Sequence, residues 1–289
     1  MTINFLCIGA QKSGTSWLHH NLKYHPSLYL PPLKELHYFD LLPQQDPFIS
    51  YLFDNKQSKS RKRAIGGLKY LLKGNQRRWC LRYLTGRRTD AWYQSLFRDD
   101  MISGEITPAY AKLSLEQVAH ISKLMPNGRI IYLLRNPVDR IWSQANMRAH
   151  KQRMLTHKEP TAADLVELVK GQIKGFYTHT QYLANLARWE QYYQPDQIFV
   201  GFFEQITAEP DQLLLSIHRF LGVEANKDFL SPKLHQPRNQ RASIPISLDA
   251  QKWLAEQTYP ECVALHKRFD NAYTAAWLEQ TDQQRHLKL

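Results

Sequence analysis

The chain opens with an unbroken apolar run, Phe5 to Ile8, then a glycine-punctuated stretch from Gly9 to Thr15, then a mixed segment from Ser16 to Leu22. A short continuous apolar run reads as a strand buried on both faces, and the polar break after it as a tight turn into a helix. The same pattern returns in "RIIYLLRNPVDRIWSQANMRAH", where Pro137 falls near the first turn of the predicted helix. "QIFVGFFE", Gln197 to Glu204, supplies a third clear strand, with a helix behind it from Pro210 to Leu221. "MISGEITPAYA" reads as a shorter strand leading into a loop at Pro108, and Leu113 to Met125 as an amphipathic helix. Helical patterns follow over Ala162 to Lys174 and Thr178 to Tyr193, and the last helix is predicted over Ser247 to Phe269. Strands alternating with helices predict an α/β fold, a parallel sheet flanked by helices.

Two segments break the alternation. In "HPSLYLPPLKELHYFD" the prolines Pro26, Pro31 and Pro32 forbid a long helix and predict extended chain. Residues 41–100 read as a basic, mainly helical insertion, with short helices interrupted by Gly66, Gly67, Gly74 and Gly86. No repeat or low-complexity tract divides the 289 residues, so one domain spanning residues 1–289 is expected.

Charge sharpens the picture. The formal net charge is +12, and residues 44 to 100 carry thirteen Lys or Arg against five acids, an excess of eight. Such a balance implies an anionic ligand or surface without naming it. The segment reads either as a solvated basic face or as a rim that attracts an acidic acceptor or nucleotide. Cys7, Cys80 and Cys262 are odd in number and lack C-x-x-C spacing, which argues against a disulfide framework or a zinc site. With no leader pattern and no apolar stretch near the roughly 20 residues of a membrane span, a cytoplasmic protein is expected.

Chemistry concentrates where strands end, because parallel α/β sheets bind ligands outside the carboxyl ends of their strands. The first turn nearly matches a phosphate-binding G-x-x-x-x-G-K-[ST] loop: Gly9 and Gly14 have its separation, but Thr15 stands in the lysine's place and the lysine is Lys12, inside the loop. Gly14 permits close backbone approach, and Ser13, Thr15 and Ser16 offer hydroxyl or N–H donors to an anion. Arg135 follows the "IIYLL" strand with bidentate donors, and Ser143 lies two helical turns further on a nearby face. Glu35 and His37 sit between these anion sites in sequence. Two anion sites from two strand ends suit a nucleotide carrying phosphates at both ends of its sugar.

At this point a family emerges. "GAQKSGTSWL" resembles the 5′-phosphosulfate-binding loop of sulfotransferases that use 3′-phosphoadenosine-5′-phosphosulfate (PAPS), and "YLLRNPVDRIWS" resembles their 3′-phosphate-binding motif. "KELHYFD", "GEITPAY" and "YLANLARWEQYYQPDQIFVGFFEQI" are similar, in order and spacing, to the branch that includes the glycan (heparan sulfate type) enzymes, from about residue 4 to 222.

The resemblance implies a P-loop-like sheet and a PAPS-dependent sulfotransferase releasing 3′-phosphoadenosine-5′-phosphate (PAP). Lys12 would reach the oxygen bridging phosphate and sulfur, where charge develops. Arg135 and Ser143 would hold the 3′-phosphate, and Arg238 and Arg241, in the loop "HQPRNQR", would close over it. Glu35 would be the catalytic base, with a pKa raised by partial desolvation and His37 assisting from the same side of an extended segment; the reverse assignment makes His37 the base. Arg140 reads as a surface or ion-pair residue. The chain departs from the glycan enzymes at Ile106, where they carry a lysine, and in the length of residues 40–92, so their acceptor preference does not transfer. A soluble small molecule is the expected acceptor, with a glycan or lipid as alternatives, and no metal or nucleic acid is implied. A kinase or NTPase would need Lys in place of Thr15 and a magnesium-binding acid; a nucleic-acid-binding module would use the basic segment alone.

Overall fold

The apolar run at the start of the chain forms strand β1 (Phe5–Gly9), buried along its whole length. The structure is a computed structural model that describes residues 3–41, 46–47, 65, 68, 74–157, 159–236 and 243–288. Among these, five strands form one parallel sheet in the order β2 (Leu28–Tyr29), β3 (Ile102–Ile106), β1, β4 (Arg129–Leu134) and β5 (Ile198–Phe202). Alternate residues feed opposite faces. Leu6, Ile8, Ile130, Tyr132 and Leu134 join one hydrophobic cluster, and Phe5, Cys7, Ile131 and Leu133 the other. This double burial explains the unbroken apolar runs.

β2 is the strand the prolines hid. It pairs with β3 through Leu28 and Tyr29 alone, at the sheet edge, between Pro26 and Pro31. An edge strand tolerates prolines at its ends because fewer ladder N–H groups are needed there.

Helix α1 (Thr15–Leu22) follows β1, and α2 (Arg77–Thr85) and α3 (Asp90–Gln94) precede β3. The basic insertion expected over 41–100 lies largely outside the described residues between 42 and 73. Its described second half is core as much as rim: Cys80, Tyr83, Leu84, Trp92, Tyr93, Leu96 and Phe97 are buried with Tyr38, Phe39 and Tyr110. Helix α4 (Leu115–Leu124) starts at a capping box between Ser114 and Gln117. Helix α5 (Pro137–Thr156) starts with Asn136 as its cap and Pro137 in its first turn, a combination worth about 1 kcal/mol at such ends.

The two helices expected over 162–193 are three: α6 (Ala162–Gly171), α7 (Ile173–Tyr177) and α8 (Tyr182–Glu190), broken at Gln172 and at the turn of residues 178–181. Short α9 (Gln205–Ala208) and α10 (Pro210–Leu221) follow β5. The final helix is also not the last. α11 (Leu248–Phe269) runs through Pro260, and after Asp270, at φ 41°, Asn271 caps a further helix, α12 (Ala272–Arg285), accepting from the amides of Tyr273 and Thr274. The two pack together as a hairpin. No described helix is long and apolar enough to cross a membrane.

Candidate active site

At the carboxyl ends of β1 and β4 lies a cavity of about 720 Å³. Lys12, Gly14, Thr15, Ser16, Glu35, Arg135 and Ser143 all line it. The loop after β1 turns on left-handed backbone at Lys12 (φ 74°) and Gly14 (φ 84°). Gly14 is required by contact as well as conformation, because a Cβ there would lie 2.1 Å from Ile206 Cδ1 on α9. Thr15 and Ser16 open α1 and line the cavity. Ser13 departs from the expected set: it is fully buried, absent from the cavity wall, and its N–H is spent on Ala10 O at 3.2 Å inside the loop.

The second anion motif meets the first directly. Arg135 Nη1 donates to Lys12 O at 3.2 Å, and its guanidinium carbon stands 4.3 Å from the centre of the Phe203 ring. Tyr182 OH donates to Arg135 O at 2.8 Å, fixing the strand end. Arg140, read from sequence as a surface or ion-pair residue, is neither. It is fully buried and donates to Thr180 Oγ1, Gln144 Oε1 and Phe176 O at 2.7–2.8 Å, and burial lowers its pKa to about 10. It ties α5 to the chain around α7, with its charge spread over neutral oxygens.

Between the anion motifs sits a chain of charged groups. Lys34 Nζ donates to Glu35 Oε1 at 3.0 Å, Ser16 Oγ at 3.1 Å and Thr15 Oγ1 at 3.4 Å. On the other side, Glu35 Oε2 lies 3.5 Å from His37 Nε2, and His37 Nδ1 lies 2.7 Å from Asp40 Oδ2. The segment is not extended as expected. Glu35 and His37 take φ values of 65° and 56°, left-handed conformations that cost a residue with a side chain about 1–2 kcal/mol each. Two left-handed residues alternating with ordinary ones still bring both side chains together. The expected rise in the Glu35 pKa does not occur: burial pushes it up, but the hydrogen bonds and charges of His37 and Lys34 outweigh burial and hold it at about 2.

What holds the strained backbone is a carboxylate that sequence reasoning passed over. Glu105, at the end of β3, is buried and accepts from Leu36 N at 3.1 Å, Thr107 Oγ1 at 2.7 Å, Tyr110 OH at 2.8 Å and the Tyr93 hydroxyl. Tyr110 OH in turn accepts from Tyr38 N at 2.9 Å. The amides on either side of His37 are thus both tied, directly or through one hydroxyl, to Glu105. Burial raises the Glu105 pKa against these four donors. Lys34, Asp40 and Glu105 all stand in quoted motifs; only their contacts distinguish them from solvated charges.

Arg238 and Arg241 lie outside the described residues. The chain on either side is tied to the cavity wall by two indoles: Trp17 Nε1 donates to Leu234 O at 2.9 Å and Trp142 Nε1 to Ile244 O at 2.8 Å. Asn146 Oδ1 also accepts from Ile244 N at 2.8 Å. From behind, α12 braces the Arg135 turn, since Gln280 Oε1 accepts from Asn136 Nδ2 at 3.2 Å and Trp277 Nε1 donates to the half-buried Glu204 at 2.8 Å.

Fold and cavity together define a P-loop-like α/β protein with two basic strand ends facing one cleft. The sulfotransferase domain family matches residues 3–241, and the chain belongs to that family. A sulfotransferase from Alicyclobacillus acidocaldarius has a similar fold at 23% identity and TM-score 0.65, covering 96% of this chain and 99% of its own. The sulfotransferase domain of the curacin biosynthetic pathway matches at 17% identity and TM-score 0.53, covering 100% and 99%. That of the Synechococcus PCC 7002 olefin synthase matches at 18% and 0.50, covering 88% and 93%. No curated protein matches the sequence. α12, which braces the Arg135 turn, and its hairpin partner α11 lie beyond the family match.

Proposed function

We propose that this sulfotransferase takes its sulfuryl group from PAPS and transfers it to a hydroxyl or amine of a small molecule. The observation that carries the reading is the convergence of Lys12, Thr15, Ser16, Glu35, Arg135 and Ser143 on one cavity whose 720 Å³ falls in the range of small-ligand sites, about 300–1,000 Å³. The 5′-phosphosulfate lies on the loop of Lys12 to Ser16, and the 3′-phosphate on Arg135 and Ser143. The acceptor's oxygen or nitrogen attacks sulfur in line, forming its new bond as the bond to the 5′-phosphate oxygen breaks. The electron pair stays on that oxygen, facing Lys12, and Glu35 takes the acceptor's proton.

Glu35 suits the base better than His37 does. Both ring nitrogens of His37 face carboxylates, at 3.5 and 2.7 Å, which fits a ring that donates toward Glu35 and is held by Asp40. Isothermal titration with PAP, alongside ADP and ATP, tests the reading. Tight PAP binding that is lost in Arg135→Ala, together with PAPS turnover that collapses in Lys12→Ala, is the expected result. No PAP binding, or near-normal turnover in Lys12→Ala, refutes it.

A further inference from the structure

One cation in the cavity has more partners than one role needs. Lys34 Nζ touches two hydroxyls of the anion-binding loop, Thr15 and Ser16, and at the same time the carboxylate of Glu35. Its side chain is 21% exposed, so it reaches the cavity from a partly buried stem and is not a solvated surface lysine. At β3, where a cation could also have come, stands Ile106, buried among Phe5, Cys7 and Trp17. Lys34 is therefore the cation shared between the acidic residue of the site and the place where the donor's anion lands.

We propose that Lys34 is a shared clamp: it pairs with Glu35 until the donor binds, and then transfers to the sulfuryl oxygens lying over Thr15 and Ser16, freeing Glu35 to act as base. This rests on the PAPS reading. The physical reason is competition for one ammonium group. Glu35 and a sulfuryl group are both anionic acceptors, and Thr15 and Ser16 already bring Lys34 within hydrogen-bond distance of the loop. While Lys34 and His37 hold Glu35, its pKa of about 2 makes it a poor proton acceptor. Withdrawal of the ammonium leaves burial and His37 in opposition, and the carboxylate becomes a stronger base only when the donor is in place. No proton moves through Lys34. Its part is charge, first on the carboxylate and then on the oxygens of the group in transfer, and it keeps Glu35 quiet until sulfur is present.

PAP lacks the sulfuryl group and PAPS carries it, so titration of both into four proteins tests the idea. In Lys34→Met, PAPS is expected to bind about ten- to a hundredfold more weakly while PAP changes less than threefold. In Glu35→Gln, which cannot turn PAPS over, PAPS is expected to bind several-fold more tightly than in the wild type, because the ammonium no longer has to leave a carboxylate. The double variant decides. If Glu35→Gln tightens PAPS equally in the Lys34→Met background, the gain is plain relief of repulsion and the shared clamp is wrong. The gain is expected to vanish there. Equal weakening of PAP and PAPS in Lys34→Met, or of neither, also overturns the clamp, whereas failure of the wild type to bind either nucleotide overturns the PAPS reading instead.

Discussion

Glu105→Gln isolates the carboxylate that holds the Glu35 to His37 segment from those that line the cavity. Two amides keep Glu35 and His37 in left-handed conformations: Leu36 N, bonded to Glu105, and Tyr38 N, bonded to Tyr110 OH, which itself bonds Glu105. The bond to the buried carboxylate is worth about 1.5–3 kcal/mol and the bond to the neutral Tyr110 hydroxyl about 0.5–1.5, so the pair supplies about 2–4.5 kcal/mol. The two left-handed residues cost about 2–4 kcal/mol together. Supply and cost nearly balance. A neutral amide at residue 105 weakens the bond to Leu36 N by about 0.5–2 kcal/mol, which tips the balance and makes the productive conformation a minority. At tenfold per 1.4 kcal/mol, kcat is expected to fall about 3- to 30-fold. PAP affinity, which on the proposed reading rests on the Lys12 to Ser16 loop and Arg135, is expected to stay within threefold.

The assay is PAP release from PAPS with the best acceptor of a panel of small alcohols, phenols and amines, beside PAP titration and thermal melting. Tyr93→Phe is the control. It removes a donor from the same carboxylate and leaves in place the ring that stacks on Tyr38, and is expected to lower stability by about 1 kcal/mol with kcat nearly intact. A folded Glu105→Gln enzyme with kcat within twofold of wild type refutes the reasoning, as does an equal kcat loss in Tyr93→Phe.

Two further outcomes follow from packing and burial. His19, His179 and His218 have pKa values lowered to about 3, 3 and 4, chiefly by burial, against about 6.5 when unfolded, so the unfolded chain binds more protons between these values. Their stabilisation is complete above about pH 6.5 and drains as pH falls toward 4, by about 1.4 kcal/mol per unit for each; urea melts at pH 7.5, 6 and 5 measure it, and a flat profile contradicts it. His218→Phe, beside His25, is expected to remove about a third of that slope. Gly14→Ala is expected to cost about 1–2 kcal/mol from its φ of 84°, more from the Ile206 contact, and at least tenfold in PAP affinity; an unchanged melting temperature and dissociation constant would sink that account.

The sheet and its two anion motifs were legible because their signals are local. A strand buried on both faces must be apolar throughout, and a phosphate turn needs glycine and donors at short, fixed spacing. β2 was hidden because two residues between prolines carry no period, and α12 because its start is a single capping asparagine after a helix that already passes through Pro260. Arg140 was misread for a related reason. Sequence records a charge but not the three oxygens that receive it across α5, α7 and the turn at Thr180.

The site divides along the same line. Lys12, Glu35 and Arg135 stand where motif spacing puts them, whereas the groups that set their behaviour come from separate elements. Glu105 reaches the Glu35 segment across 69 residues, and Gln280 reaches Asn136 across 144. Lys34 is adjacent to Glu35 in sequence, yet only the fold brings Thr15 and Ser16 to its ammonium. The hydrogen bond of His37, with the charge and hydrogen bond of Lys34, reverses the expected direction of the Glu35 pKa, since a partly desolvated carboxylate alone would be pushed up. Spacing therefore identifies which groups line the cavity. Long-range contacts decide how the proposed base is held, and here they hold it paired.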